Sequence, residues 1–586
     1  MERIPENRIL TQNNYGDSYK DTVESFNLDL TGNYGAIRTT RMKLSDDETS
    51  LKLEKLTNVA AGFAYYNSKY WAIGAGYVFE GGSALSDDFD WESNSNAPQD
   101  ELSSAYSDIE LFNGSMYVSA DTSVFKLSTT TWSEPVTTQL TASRPHLLKA
   151  FGTGDNSRLY ITDEYYKVHS ISTADAISAT GSFTMDLKLG NEWVISMLEA
   201  GQNSLWIGLV NIENGKGLVF EWDGVTENIY DRRIELEAGV IAGVVFENIP
   251  MIVDARGRIM EYNGSGFVEK DRFFLKDQFH LYNTYSARND RFIHVNGICT
   301  TDYGTILIAM QNEQDDSYGN EDTVPSGVYE YLPGVGLTHR YSISDSPKAD
   351  TTITDYGQQR LARMGAIFFS RARAAADDRN GTLLVGAEVY SDYTDILTNT
   401  PKSGIYFNDT IDTTPKMGYF ITRKFYSNSI QEAWDKVYAI YRKFQSETDK
   451  IVVKYRLTEK NSMSASCTWL SDLTFNTTDD VSDFAVGDEV TILTGTGAGQ
   501  SLKITDIQVS ALTYSVTVES NPFSATGSFA ARFENFQYAG TIDNDQQFDA
   551  KTFPTTTSPW IQLKIEMYFT GRQELHKLQL NSKTNI

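Results

Sequence analysis

The stretch Asp108-Ile109-Glu110-Leu111-Phe112-Asn113-Gly114-Ser115-Met116-Tyr117-Val118 decides the fold. Two apolar runs flank Asn113-Gly114, and an Asn-Gly pair in that setting signals a tight two-residue hairpin. Val124-Phe125-Lys126-Leu127 and Trp132 then extend the hairpin into a module of short strands. The same module recurs between residues 60 and 415: apolar strand, turn on Asn, Asp or Gly, apolar strand, Gly turn, and a strand rich in Tyr or Phe.

One copy holds Leu159-Tyr160-Ile161 and Tyr166-Lys167-Val168, and the next Leu205-Trp206-Ile207-Gly208 with Gly217-Leu218-Val219-Phe220-Glu221-Trp222. Met251-Ile252-Val253-Asp254 is answered by Arg258-Ile259-Met260-Glu261-Tyr262. Thr305-Ile306-Leu307-Ile308 with Gly327-Val328-Tyr329, and Thr382-Leu383-Leu384-Val385 with Gly404-Ile405-Tyr406, carry longer insertions. An earlier copy begins at Tyr70-Trp71-Ala72-Ile73-Gly74. From Tyr70 through Met116, Leu159, Leu205, Met251, Ile306 and Leu383 the steps are 46, 43, 46, 46, 55 and 77 residues. A period in the mid-forties built only of strands predicts a β-propeller. Seven copies predict about seven blades, with six or eight still open. Each blade has two apolar faces that only its neighbours can cover, and closing the ring removes most free sheet edges.

Beyond residue 415 the pattern changes. Tyr419–Phe425, Lys450–Leu457, Trp560–Met567 and Leu575–Leu580 read as strands, and Trp434–Phe444 fits a long strand or a short helix, with the alternation of Tyr438, Ile440 and Arg442 favouring the strand. They predict a β-sandwich split between 416–467 and 536–586. The interruption at 468–535, with Phe484–Ile492, Ser501–Ile507 and Tyr514–Val518, predicts a small inserted β-barrel. Residues 1–59 are expected to form an N-terminal arm, polar through residue 25, followed by the first strands. The fold class is all-β.

The chain has 586 residues, with 50 Lys and Arg against 78 Asp and Glu, a formal charge of −28. Tight binding to duplex nucleic acid runs on clustered Lys and Arg, so this balance argues against it, and equally against an anionic membrane. Two cysteines, Cys299 and Cys467, allow one disulfide but no framework. Six histidines without a Cys/His cluster exclude a zinc site of ordinary spacing. Nowhere do 18 apolar residues stand together, and the charged N-terminus Met1–Arg8 lacks the apolar run of a signal peptide.

A long propeller followed by a split sandwich, with Val486-Gly487-Asp488-Glu489-Val490 and Gly495-Thr496-Gly497-Ala498-Gly499-Gln500 in its insert, resembles structural proteins of bacteriophage tails. The likeness is to propeller-bearing nozzle or tip proteins of short-tailed phages. It covers most of the chain in architecture, with loose motifs. It implies a virion protein, made in the host cytoplasm, that forms a homo-oligomeric ring around the DNA ejection channel. Partners implied are other copies of the chain, adjacent tail or adaptor proteins that receive the N-terminal arm, a host surface glycan, and DNA that passes without specific binding.

Several residue clusters invite chemistry, and each has a plainer reading. Gly495–Gly499 lacks the closing Gly-Lys-Ser/Thr of a P-loop and is followed by Gln500-Ser501 and a strand, so a hairpin turn is expected. Arg371, Arg373 and Arg379 with Asp377 and Asp378 are the best local match to a glycosidase or sialidase cluster, yet they also read as a charged loop. Asp543-Asn544-Asp545 with Asp549, and Asp87-Asp88 with Asp90, crowd carboxylates without matching a calcium loop. No Gly-x-Ser-x-Gly elbow occurs, and His294 and Cys299 read as packed. The expectation is a non-enzymatic protein with no catalytic, cofactor-binding or metal residue. The rival is a carbohydrate-binding or carbohydrate-active propeller, with Tyr390, Tyr393 and Trp91 stacking on sugars and channel-facing carboxylates as its hallmark.

Overall fold

The computed structural model describes residues 59–81 (except 75), 92–93, 108–142, 146–273 (except 231), 293–311 (except 303), 326–343 (except 334–335 and 342), 362–370, 382–389, 402–408, 416–426, 432–457 (except 445 and 447), 463–492 (except 472), 501–510, 513–520, 527–553 (except 544–545), 558–569 and 575–584, with short strands at 2–3, 22–26, 28–29, 38–39 and 42–44.

Seven four-stranded antiparallel sheets follow one another as blades 1 to 7 of a propeller. Blade 1 is Gly62–Tyr66, Lys69–Gly74, Tyr77–Glu80 and Glu92–Ser93. Blades 2 to 6 occupy 109–136, 148–184, 193–236, 240–272 and 293–341. Their first strands neighbour one another in sequence order, and the first strand of blade 7, Ala362–Ser370, returns to that of blade 1. Every repeat marker from Tyr70 to Leu383 lies on the second strand of its blade.

Turn chemistry sets the first hairpins. Phe112 pairs with Ser115 across Asn113-Gly114, both with positive φ, as a type I′ turn requires. Asn67-Ser68 and Glu247-Asn248 adopt the same left-handed pair in blades 1 and 5.

Between each pair of neighbouring blades lies one apolar cluster. Successive residues of a strand face opposite sides, so Leu159 and Ile161 pack toward blade 2 with Tyr117 and Val136, while Tyr160 packs toward blade 4 with Leu205 and Trp222. Trp222 stacks on Phe183 at 4.3 Å and donates its indole N–H to Thr226 O at 2.7 Å. Burying such a side chain stabilises by about 2–3 kcal/mol. Blades 7 and 1 share Leu384, Ile405, Tyr70 and Phe79. Their junction is tight: Ala366 N–H donates to Ala60 O at 2.9 Å, and a Cβ at Gly365 would lie 2.4 Å from that same oxygen.

The ring closes in a way the repeats do not predict. The outermost strand of blade 7 is Met42–Leu44, from the first strands expected to precede the propeller, pairing Tyr406 with Leu44 and Asn408 with Met42. The first and last parts of the propeller sequence therefore share one sheet. Three residues carry no periodicity that sequence reading could detect.

The arm is also engaged elsewhere on its own chain. Glu2–Arg3 pairs with Leu575–Thr584, and Thr22–Phe26 pairs with Lys416–Thr422. These strands join two C-terminal sheets. One has the order Glu2–Arg3, Leu575–Thr584, Glu432–Tyr441, Phe548–Thr552. The other has Thr22–Phe26, Lys416–Thr422, Trp560–Phe569, Lys450–Arg456, Gln537–Ile542. Phe420, Ile451 and Ile565 of the second sheet meet Val437, Leu578 and Leu580 of the first in one core.

Six strands between Met463 and Glu534 close into a barrel around Trp469, Phe475, Val516 and Phe533. The barrel starts earlier than the expected 468, because Met463–Thr468 pairs residue by residue with Ser528–Phe533. Cys467 is buried in this barrel and Cys299 lies in blade 6, both as free thiols.

Candidate functional site

The first strands of all seven blades converge on the propeller axis, where they line a cavity of about 130 Å³. Its polar groups are Asp108 and Glu110 of blade 2, Lys149 of blade 3, Glu199 of blade 4 and Asn296 of blade 6.

Asp108 is buried and bonded on both oxygens. Its Oδ1 accepts from Ile109 N–H and Asn296 Nδ2, each at 2.8 Å, and its Oδ2 accepts from Leu148 N–H at 2.8 Å. Asn296 Nδ2 also donates to Ala61 O at 2.9 Å. One carboxylate and one carboxamide thus tie blades 2, 3 and 6 to the segment entering blade 1. Ser119 reinforces the blade 2–3 seam: its Oγ accepts from Asp108 N–H at 2.7 Å and donates to His146 O at 2.8 Å.

Burial pushes the Asp108 carboxyl up to about 6, against the opposing pull of the Leu148 and Ile109 amides and the Lys149 charge. Burial pushes Glu110 up to about 7, with Lys149 opposing and Asp108 and Glu199 adding to the rise. Lys149 bonds Glu199 through Nζ–Oε2 at 2.8 Å. Burial would lower the Lys149 ammonium, but Glu199 and Glu110 outweigh it and hold the charge in place. The opening therefore contains one fixed cation, Lys149, beside two carboxyl groups, Asp108 and Glu110, that burial makes easier to protonate than an exposed carboxyl. It can exchange a proton and can offer both donors and acceptors to a small polar molecule.

None of these residues is a candidate from the sequence. A shared signal does exist: Glu110 stands opposite Tyr117, Lys149 opposite Tyr160, and Glu199 opposite Trp206. Each is the charged first-strand residue facing an aromatic of the second strand, and aligning the repeats on that pair would find all three.

The sequence-derived candidates fare differently. Arg371, Arg373, Asp377, Asp378 and Arg379 lie outside the described residues, as do Asp87, Asp88, Asp90, Trp91, Tyr390, Tyr393, Asn544, Asp545 and the Gly495–Gly499 run. The strands flanking that run pair antiparallel, Thr491 with Ser501. Asp549 pairs with Lys551 at 3.0 Å and accepts from Ala550 N–H at 2.7 Å, so its carboxylate serves the sheet edge. Among the described residues no group of three or more His, Cys, Asp or Glu is placed to hold a metal ion. His294 is buried and accepts from Asn296 N–H at 3.1 Å, and burial pushes the Cys299 thiol up to about 12, far from a reactive thiolate.

No family model matches the chain, and no curated protein matches it. Similar solved structures include YCF48 from Cyanidioschyzon merolae, at 9% identity and a TM-score of 0.37 over 63% of this chain and 98% of that one. BBS1N, solved in complex with ARL6DN, gives 12% identity and a TM-score of 0.35 over 61% and 93%. The Dos1 propeller gives 9% and 0.34 over 63% and 95%.

Proposed function

We propose that this protein is a non-enzymatic structural component of a bacteriophage tail, a nozzle or tip subunit that assembles with copies of itself in a ring around the DNA path. The observation that carries this reading is the interlocking of the parts. The N-terminal segment contributes strands to both C-terminal sheets and then supplies the last strand of the propeller. A chain tied at both ends in this way resists being pulled open one domain at a time, as a load-bearing virion part must. The Asp108–Asn296 tie across the propeller axis supports the same reading, because it commits a central carboxylate to joining blades. Adjacent tail or adaptor proteins are the partners of such a ring, and the virion is its location.

The rival, a propeller acting on or binding host glycans, draws support from Glu110 and Glu199 facing the cavity beside Lys149. Cryo-electron microscopy of the intact particle, with the purified chain assayed in parallel on host glycans, separates the two. A ring of copies on the tail axis is expected. A free monomer absent from the particle, with glycan binding or hydrolysis lost in Glu110→Gln or Glu199→Gln, would overturn the structural reading.

A further inference from the structure

The barrel leaves the two-sheet domain after Arg456 and returns before Gln537, and the apolar cores of the two parts share no residue. An insert on two such connections could adopt many orientations. What faces it across the junction is charge.

On the two-sheet domain Lys454 stands directly opposite Lys564, and on the barrel Glu489 stands directly opposite Glu534. Like charges paired across strands destabilise a sheet, so each half is unfavourable by itself. In the folded chain the halves meet: Lys454 Nζ lies 2.5 Å from Glu489 Oε1, and Lys564 Nζ lies 2.6 Å from Glu534 Oε2. Glu566 sits between the lysines, 2.7 Å from Lys454 and 3.6 Å from Lys564, and receives the Tyr568 hydroxyl at 3.1 Å. Arg532 Nε holds the other oxygen of Glu534 at 3.0 Å. All six charged side chains are buried. The barrel contributes two Glu and one Arg, the two-sheet domain two Lys and one Glu, so charges of −1 and +1 cancel on docking. The aromatic rings of Tyr419 and Phe536 lie beside the Lys564 ammonium, and Arg456 bonds Gln562 and Asn535 at the rim.

We propose that this six-membered cluster is an electrostatic key that fixes the barrel in one orientation on the two-sheet domain. Buried ion pairs add little net stability over apolar replacements, yet they penalise every arrangement that leaves a charge unpaired. The cluster therefore selects the orientation, and the separate cores supply the folding energy.

Pulsed electron–electron distance measurement tests this, with spin labels at exposed Val509→Cys on the barrel and Tyr426→Cys on the two-sheet domain, in a full chain carrying Cys299→Ser and Cys467→Ala. The parent should give one narrow distance distribution. Lys454→Glu should broaden it at least twofold, and adding Glu489→Lys should restore the parent width. If Lys454→Glu does not fold, Lys454→Met serves in its place and should broaden the distribution likewise. An unchanged width in the single variant, or a charge-reversed double variant that stays broad, would overturn the proposal.

Discussion

Replacing Glu110 by Gln should stabilise the propeller above pH 7 and leave its stability unchanged at pH 4. Burial raises this carboxyl from 4.5 to about 7, so between those values the folded chain keeps a proton that the unfolded chain releases. Stability must then fall as pH rises through this window and stay low above it. At about 1.4 kcal/mol per tenfold change in proton affinity, ionising Glu110 in the fold costs at most about 3.5 kcal/mol. The side chain is partly open to the cavity and Lys149 loses a carboxylate neighbour in the variant, so the expected gain at pH 8 is about 1–2 kcal/mol. Asp108 has the same sign between 3.8 and about 6, but it is present in both proteins and cancels from the difference. Urea denaturation followed by tryptophan fluorescence at pH 8, 6 and 4 measures the effect. A Gln variant that is less stable at pH 8, or a difference that persists at pH 4, would refute burial as the source of the shift.

Three further outcomes follow from the packing. Asn296→Ala should cost about 1–3 kcal/mol, because it leaves Ala61 O and Asp108 short of a donor, and it should steepen the loss of stability between pH 4 and 7 in the same titration. Arg340→Met should cost about 3–5 kcal/mol by leaving Glu330 buried beside it without its 2.7 Å partner, and adding Glu330→Leu should recover most of that loss in thermal melts. Deleting residues 1–45 should open the edge of blade 7 at Lys402–Asn408, giving a lower melting temperature, aggregation and early proteolysis between blades 7 and 1. A truncated chain as stable as the full one would show that the ring closes without Met42–Leu44.

The propeller was legible because its information is local and repeated. Asn113-Gly114 dictates a hairpin whatever surrounds it, and alternation along Leu159-Tyr160-Ile161 already assigns opposite faces before any neighbour is known. Seven such modules need one another's faces, so the period near 46 residues implies the ring. Tertiary structure decided the rest, wherever the partner lies far away in sequence and the segment is too short to carry a pattern. Met42–Leu44 is an ordinary tripeptide until Tyr406–Asn408 stands beside it with an unpaired edge. Asp108 is only the first residue of a hairpin stretch until the ring brings Asn296 within 2.8 Å, 188 positions away. Lys454 and Glu489 alternate like any exposed strand charges, and only the docking of barrel on sheet buries them together. Side-chain period records which face of an element is apolar; it cannot record which polar groups the closed ring and the inserted barrel will remove from water.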